Sequence, residues 1–399
     1  MKKRIFGFEK NIFFLSLTSF FTDVSSEIIY PLLPIFLTSV LGAGAAFVGL
    51  VEGVAETTAS LMKLFSGWLS DRIRKRKALV VFGYTLSSLT RPLMALAAAP
   101  WNVLAIRFMD RIGKGIRNSP RDALIADSCA PDEKGRSFGF NRAMDHAGAM
   151  VGSLIVFILL LGVSKNYRLI FALASIPALF AVIVVTFFTN EVAPVNADNR
   201  RLHADDRRYP RKFTFDLRLS AFSKKFKLFL FTVFIFTLGN SSDAFLLLRA
   251  RSIGVGITFI PLLWFVLHVV KSFTSTPSGI ISDKFGRRRV ILLGWLIYGL
   301  VYLGFGFAKN TSHIWFLFAA YGLFYGLTEG VERAFVADLV NADVRGSAYG
   351  IYNFVIGIAA LPASLLMGVL WQTLGPQVAF LFGAALAFAA SIALALFLK

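Results

Sequence analysis

Gly67-Trp-Leu-Ser-Asp71-Arg72-Ile-Arg74-Lys75-Arg76-Lys77 ends a long apolar run and turns abruptly into a cluster of cations. About 212 residues later (Gly67 to Gly279), Gly279-Ile-Ile-Ser-Asp283-Lys284-Phe-Gly286-Arg287-Arg288-Arg289 is built the same way. Two copies half a chain apart mean an internal repeat, and a repeat governs the reading of everything else. The surroundings decide the class. The chain has 399 residues, 56% of them hydrophobic, 42 of them Phe, and a mean hydropathy of +0.67. Apolar stretches of about 20 residues recur throughout, each long enough to cross a bilayer. Lipid requires every backbone polar group to be satisfied within its own segment, so these spans are helices. A membrane β-barrel would show alternating segments of about ten residues, and none is present.

The pattern Gly-x-x-x-Asp-Arg/Lys-x-Gly-Arg-Arg/Lys between two membrane helices resembles the loop signature of the major facilitator superfamily, which joins helix 2 to helix 3 and helix 8 to helix 9. The second copy fits in full; the first has Arg74 where the family has Gly. The resemblance covers nearly all of the chain. It implies an all-α polytopic membrane protein of twelve transmembrane helices in two pseudo-symmetric six-helix bundles. It further implies that Gly67, Asp71 and Arg72, with Gly279, Asp283, Lys284, Gly286 and Arg287, form a cytoplasmic gate that bridges to the neighbouring bundle.

The formal net charge of +19 does not make a nucleic-acid protein, because the cations sit in alternate loops. The N-terminus, the 71–77 loop, the 114–136 connector, the central linker and the 284–289 loop are rich in Lys and Arg; the turns at 41–46, 97–102 and 374–377 carry no charge. This positive-inside pattern places both termini in the cytoplasm and the protein in the plasma (bacterial inner) membrane. Met1-Lys2-Lys3-Arg4 opens like a signal peptide, but the apolar run continues past Asp23 and Glu27 without a small-residue cleavage site, and so reads as an uncleaved first helix. The only cysteine, Cys129, excludes an internal disulfide.

Twelve segments are expected, at about 11–39, 46–70, 78–98, 101–115, 138–162, 169–189, 227–248, 256–282, 290–308, 314–339, 349–374 and 377–398. An amphipathic connector at 116–136 should precede the fifth. The domains are then 1–189, a polar cytoplasmic linker 190–225, and 226–399. The repeat reaches further, since Ala126-Asp127 recurs as Ala337-Asp338 and Ser25-Ser26-Glu27 as Ser241-Ser242-Asp243. Two parallel halves place a solute site between them near the midplane.

Ionisable groups at membrane depth are costly and default to functional candidates. Helix 1 carries Asp23 and Glu27 on one face; two carboxylates this close resist ionising together, which suits proton coupling or a cation site. Helix 2 carries Glu52, read as close to the outer surface, then Glu56 and Lys63, which can pair with each other. Helix 4 carries Arg107, Asp110 and Arg111. Here Arg107 matches the Arg of the antiporter motif of drug-proton members, and Arg111 stands where that motif has Gly. An Arg at this depth can bind an anion bidentately; the plainer alternative is that Arg107 pairs with Asp23 or Glu56 and that Asp110 neutralises Arg111. Helix 5 adds Arg142, Asp145 and His146, with Gly148 and Gly152 resembling the antiporter glycines. The second half adds Asp243, His268, Lys271, Glu329, Glu332 and Arg333, with Arg333 placed to pair with Glu329. The substrate and coupling set is thus Asp23, Glu27, Glu56, Arg107, Asp110, Asp145, Asp243, Glu329 and Arg333.

No tight metal-ligand spacing, nucleotide loop or nucleophile–base pair is present, so no metal, cofactor or enzymatic activity is expected. The expected function is secondary active transport of a small organic solute by a monomer in the bilayer. It is expected to be proton-coupled, with efflux favoured. The alternatives are uptake of an anionic or metal-chelating metabolite held by Arg107 and Arg333, or movement of a lipid or lysolipid.

Overall fold

The structure is a computed structural model and describes residues 4–73, 75–129, 133–192, 222–340 and 345–397. A short hairpin, β1 (Arg4–Ile5) with β2 (Phe8–Glu9), leads into α1 (Lys10–Ile29), α2 (Leu33–Ile35) and a π-helical turn at Phe36–Val40. Then follow α3 (Ala45–Ile73), α4 (Arg76–Ala95), α5 (Pro100–Ser128), α6 (Lys134–Gly162), α7 (Tyr167–Leu173) and α8 (Ser175–Phe188). The second half comprises α9 (Lys224–Gly239), α10 (Ala244–Ser252), α11 (Ile260–Phe285), α12 (Arg287–Phe307), α13 (Thr311–Asp338), α14 (Arg345–Leu374) and α15 (Pro376–Phe397). Ten helical segments among the described residues are long and apolar enough to cross a membrane. The other two long helices, α4 and α5, carry buried arginines and complete twelve spans in two six-helix bundles.

Three expected segments are interrupted. The first breaks at 30–32, the seventh at 240–243 and the sixth at Ala174. Each break is short, and the apolar residues on both sides keep the whole segment reading as one span. In contrast, the expected boundary at 115 is absent. Helix α5 continues to Ser128, so the 116–136 connector is mostly an extension of that helix. Of the expected linker, residues 193–221 lie outside the described part.

The turn of the second motif shows why it needs glycine. Gly286 has φ of +92° and ends α11 one residue before α12 begins. A side chain there would be strained.

Within the first half α1 packs on α6 and α8, and α5 on α3 and α4; within the second, α13 packs on α11 and α12, and α15 on α9 and α12. The halves meet chiefly along α3 against α14 and along α6 against α11. The first of these seams is close enough to involve backbone. A Cβ at Gly49 would lie 2.2 Å from the Ser364 carbonyl oxygen, and one at Gly368 would lie 2.5 Å from that of Ala45. Thr57 Oγ1 donates to the Gly357 carbonyl at 2.6 Å across the same seam. Such contact rewards small residues, because lipid supplies no hydrophobic force between helices and packing must hold them.

Gly49→Ala should therefore overpack the seam and cost about 1–3 kcal/mol, lowering the thermal midpoint of the detergent-purified protein. Gly279→Ala meets nothing within 4 Å. It should be neutral or raise the midpoint slightly, as an alanine in a helix is favoured by roughly 0.5–1 kcal/mol.

Candidate functional site

Carboxylates at membrane depth fall into two groups according to what holds them. The first group takes cations. Arg107 Nη2 donates to both oxygens of Glu52 at 2.8 Å, and Arg107 Nη1 lies 3.7 Å from Asp110. Asp110 is also 3.3 Å from Arg91 and 3.9 Å from Arg111. These charges tie α3, α4 and α5 into one buried chain, with Glu52 6% and Arg107 4% exposed. Glu52 is therefore not a solvated outer residue, and it takes the arginine expected to pair with Asp23 or Glu56. Position along one helix does not reveal a cation arriving from a neighbouring helix. Asp145 takes Arg142 at 3.2 Å and Arg121 at 4.0 Å, and Glu329 takes Lys271 at 2.7 Å. Arg333 is exposed and forms no ion pair with Glu329.

The second group takes only neutral aromatic donors. Trp264 Nε1 on α11 donates to Glu27 Oε2 on α1 at 2.7 Å, across the two halves. The Tyr30 ring lies 5.2 Å from that indole. Asp243, in the break between α9 and α10, accepts from Tyr321 at 2.6 Å and Tyr325 at 3.0 Å. Glu332 accepts from Trp295 at 2.8 Å and from Tyr352 at 2.6 Å. The break at 240–243 puts Asp243 at the N-cap of α10, but its side chain makes no capping hydrogen bond there and takes the two tyrosines of α13 instead.

The carboxylates of Asp23 and Glu56 have no ion-pair or hydrogen-bond partner among the described residues. Glu56 is exposed although it lies midway along α3, and its electrostatic neighbours are Lys63, Arg111, Lys114 and Arg107. It thus faces the interior charges rather than lipid. Asp23 has Asp145, Lys114 and Glu27 as neighbours. The glycines of α6 create this proximity: a Cβ at Gly148 would lie 2.4 Å from the Phe20 carbonyl oxygen, and one at Gly152 would lie 2.5 Å from that of Val24.

The predicted set is thus partly gathered. Glu27, Glu56 and Asp110 share Arg107 and Arg111 as charged neighbours. Asp243 and Glu329 approach this group through Tyr325, over which Lys271 sits at 4.6 Å. Two participants, Trp264 and Glu332, were not placed in the site by sequence. Glu332 was visible as a charge three residues after Glu329, but its donors come from positions 37 and 20 residues away. Among the described residues no cluster of His, Cys, Asp or Glu is arranged to hold a metal ion.

The motif cations close within their own halves in this conformation. Arg287 reaches Asp283 at 3.4 Å and Asp338 at 2.6 Å. In the first copy Arg76, one position past the residue that aligns with Arg287, pairs with Asp127, the equivalent of Asp338. Arg72 lies over the Trp68 ring, Lys284 is exposed, and Gly67 faces Ser119. The Asp71 side chain lies outside the described part.

Removing one member of a buried pair strands the other. Glu52→Gln should cost about 3–5 kcal/mol of stability, read as a lower thermal midpoint. The double variant Glu52→Gln with Arg107→Gln should recover much of that loss; additive losses would show that the two residues do not interact.

The chain is 36% identical over 384 residues to an uncharacterised MFS-type transporter of Methanocaldococcus jannaschii, covering 95% of this chain and 92% of that one. It is 23% identical over 359 residues to the multidrug resistance protein MdtH of Salmonella arizonae, covering 87% and 82%. The fold superposes on a variant of the nucleoside transporter NupG with a TM-score of 0.81 at 13% identity, covering 97% of this chain and all of that one. The sequence model of the Major Facilitator Superfamily matches residues 15–269 and, in a second overlapping match, 229–399. With its twelve-helix architecture and internal repeat, this chain belongs to the Major Facilitator Superfamily and is an integral membrane transporter.

Proposed function

We propose that this transporter moves a small organic solute by alternating access and couples that movement to protons, with export as the favoured direction. In this reading the halves 1–189 and 226–399 rock against each other about the α3–α14 and α6–α11 contacts. The 190–225 linker joins them. The Lys- and Arg-rich loops and both termini lie in the cytoplasm, the membrane is the plasma membrane, and the monomer suffices.

The observation that carries the reading is the Glu27–Trp264 hydrogen bond. It joins the halves, and its carboxylate has no ion pair. Adding a proton to Glu52 or Glu329 would leave a cation without its partner; adding one to Glu27 strands none. The charged groups around Glu27 are Lys114, Arg111, Arg107 and Asp23. A proton on Glu27 removes the anion that accepts from the indole, so proton binding and separation of the halves act on the same contact. Asp243, held by two tyrosine hydroxyls, supplies a second such group in the other half. Export is favoured by the similarity to a multidrug resistance protein.

Uptake of an anion held by Arg107 and Arg333 has less support, because Glu52 already neutralises Arg107.

Proteoliposomes holding a pH-sensitive dye test the coupling. Adding tetraphenylphosphonium or citrate under an imposed pH gradient should change the internal pH with wild-type protein. Glu27→Gln and Asp243→Asn should each reduce that flux at least tenfold, about 1.4 kcal/mol. Full flux in Glu27→Gln contradicts the proposal.

A further inference from the structure

On α5 the positions 107, 111 and 114 fall on one face, at spacings of four and three. Arg107 is consumed by Glu52. Arg111 is not: it is only 9% exposed, its Nε has no hydrogen-bond partner, and its nearest carboxylate is Asp110 at 3.9 Å. That carboxylate is already shared with Arg91 and Arg107, so one anion serves three guanidiniums. Lys114 is half-buried and has no hydrogen bond or ion pair among the described residues; the same holds for the ammonium of Lys63 on α3. The two helices are pressed together at this level, since a Cβ at Gly115 would lie 3.2 Å from the backbone nitrogen of Lys63. Ser119 Oγ also donates to the Lys63 carbonyl at 2.8 Å. Arg111, Lys114 and Lys63 are mutual electrostatic neighbours. Of the nearby carboxylates, Glu27 is turned to Trp264, while Asp23 beside Lys114 and the exposed Glu56 make no hydrogen bond or ion pair to these cations.

Three crowded cations inside a membrane protein repel one another and lack the acceptors that would satisfy them. An oxyanion supplies what is missing: several acceptor oxygens and negative charge, met by guanidinium and ammonium donors. We infer that Arg111, Lys114 and Lys63 form a subsite for an oxyanion, a carboxylate or phosphoryl group. Resting on the transport reading above, the group belongs to the carried solute, which is therefore an organic anion. Tyr30 and Trp264 lie on the Glu27 side and offer ring faces to the rest of such a solute. Glu56, sharing the same three cations, competes with the ligand and neutralises the subsite when it is empty.

The test is binding, not transport. Thermal midpoints of the full detergent-purified chain are measured against citrate, glucose 6-phosphate, lysophosphatidylglycerol and tetraphenylphosphonium. A ligand that binds only the folded state raises the midpoint with concentration. Citrate or glucose 6-phosphate should raise it, with at least tenfold weaker apparent affinity in Lys114→Gln and in Arg111→Gln, and tighter affinity in Glu56→Gln. Lys114 makes no hydrogen bond or ion pair among the described residues, so its variant should fold even where Arg111→Gln does not. A response confined to lysophosphatidylglycerol and lost in Lys114→Gln keeps the subsite and assigns its occupant to a lipid headgroup. The inference is overturned if none of the three anions binds, or if their binding is unchanged in Lys114→Gln. Loss of proton flux in Glu27→Gln leaves this result untouched, so the two proposals fail separately.

Discussion

An ionised carboxylate cannot stay bare in a membrane interior, and the cost of leaving it so shapes most of this structure. Two remedies serve most of these groups, Asp23 and Glu56 having only charged neighbours without a bond. Glu52, Asp110, Asp145 and Glu329 take arginine or lysine, whereas Glu27, Asp243 and Glu332 take indole and phenol donors. The remedies differ in consequence. A buried ion pair fixes the charge of both members, because neutralising either strands the other. A carboxylate held by neutral donors carries no such tie. The same side-chain chemistry is thereby divided into groups that lock helices together and groups free to change charge.

The fold arranges this division in space. The chain of charges from Glu52 through Arg107 and Asp110 to Arg91 stays within one half and binds α3 to α4 and α5. The Glu27–Trp264 bond instead crosses between halves, beside a seam whose glycines bring α3 and α14 into backbone contact. Breaks in the first and seventh segments lie close to Glu27 and at Asp243, the two acidic positions related by the repeat. Where a membrane helix is interrupted, its freed backbone and side chains are tolerated only if they are buried in protein or line a cavity. Asp243 meets that condition through Tyr321 and Tyr325.

The architecture was legible in the sequence because it rests on features that composition and spacing record: apolar runs, alternating loop charge, and a turn motif whose second copy needs Gly286 at positive φ. The repeat also led to acidic positions 27 and 243. What composition does not record is which partner reaches a charge from another helix. Glu52 reads as peripheral from its position in the sequence but is buried against Arg107, and Arg333 reads as the partner of Glu329 but Lys271 takes that place. The continuity of α5 past residue 115 was hidden by its own cations, which read as a connector but lie buried at Arg117 and Arg121. Aromatic donors leave the faintest trace, because 15% of the chain is Phe, Trp or Tyr and most of those rings only pack.

The central claim is that the aromatic-held carboxylates exchange protons while the ion-paired ones do not. Infrared difference spectra of the purified protein between acid and alkaline pH observe protonated carboxyl groups directly. The account predicts bands that disappear one by one in Glu27→Gln, Asp243→Asn and Glu332→Gln and persist in Glu329→Gln. Bands that vanish in Glu329→Gln and survive all three other substitutions would contradict it.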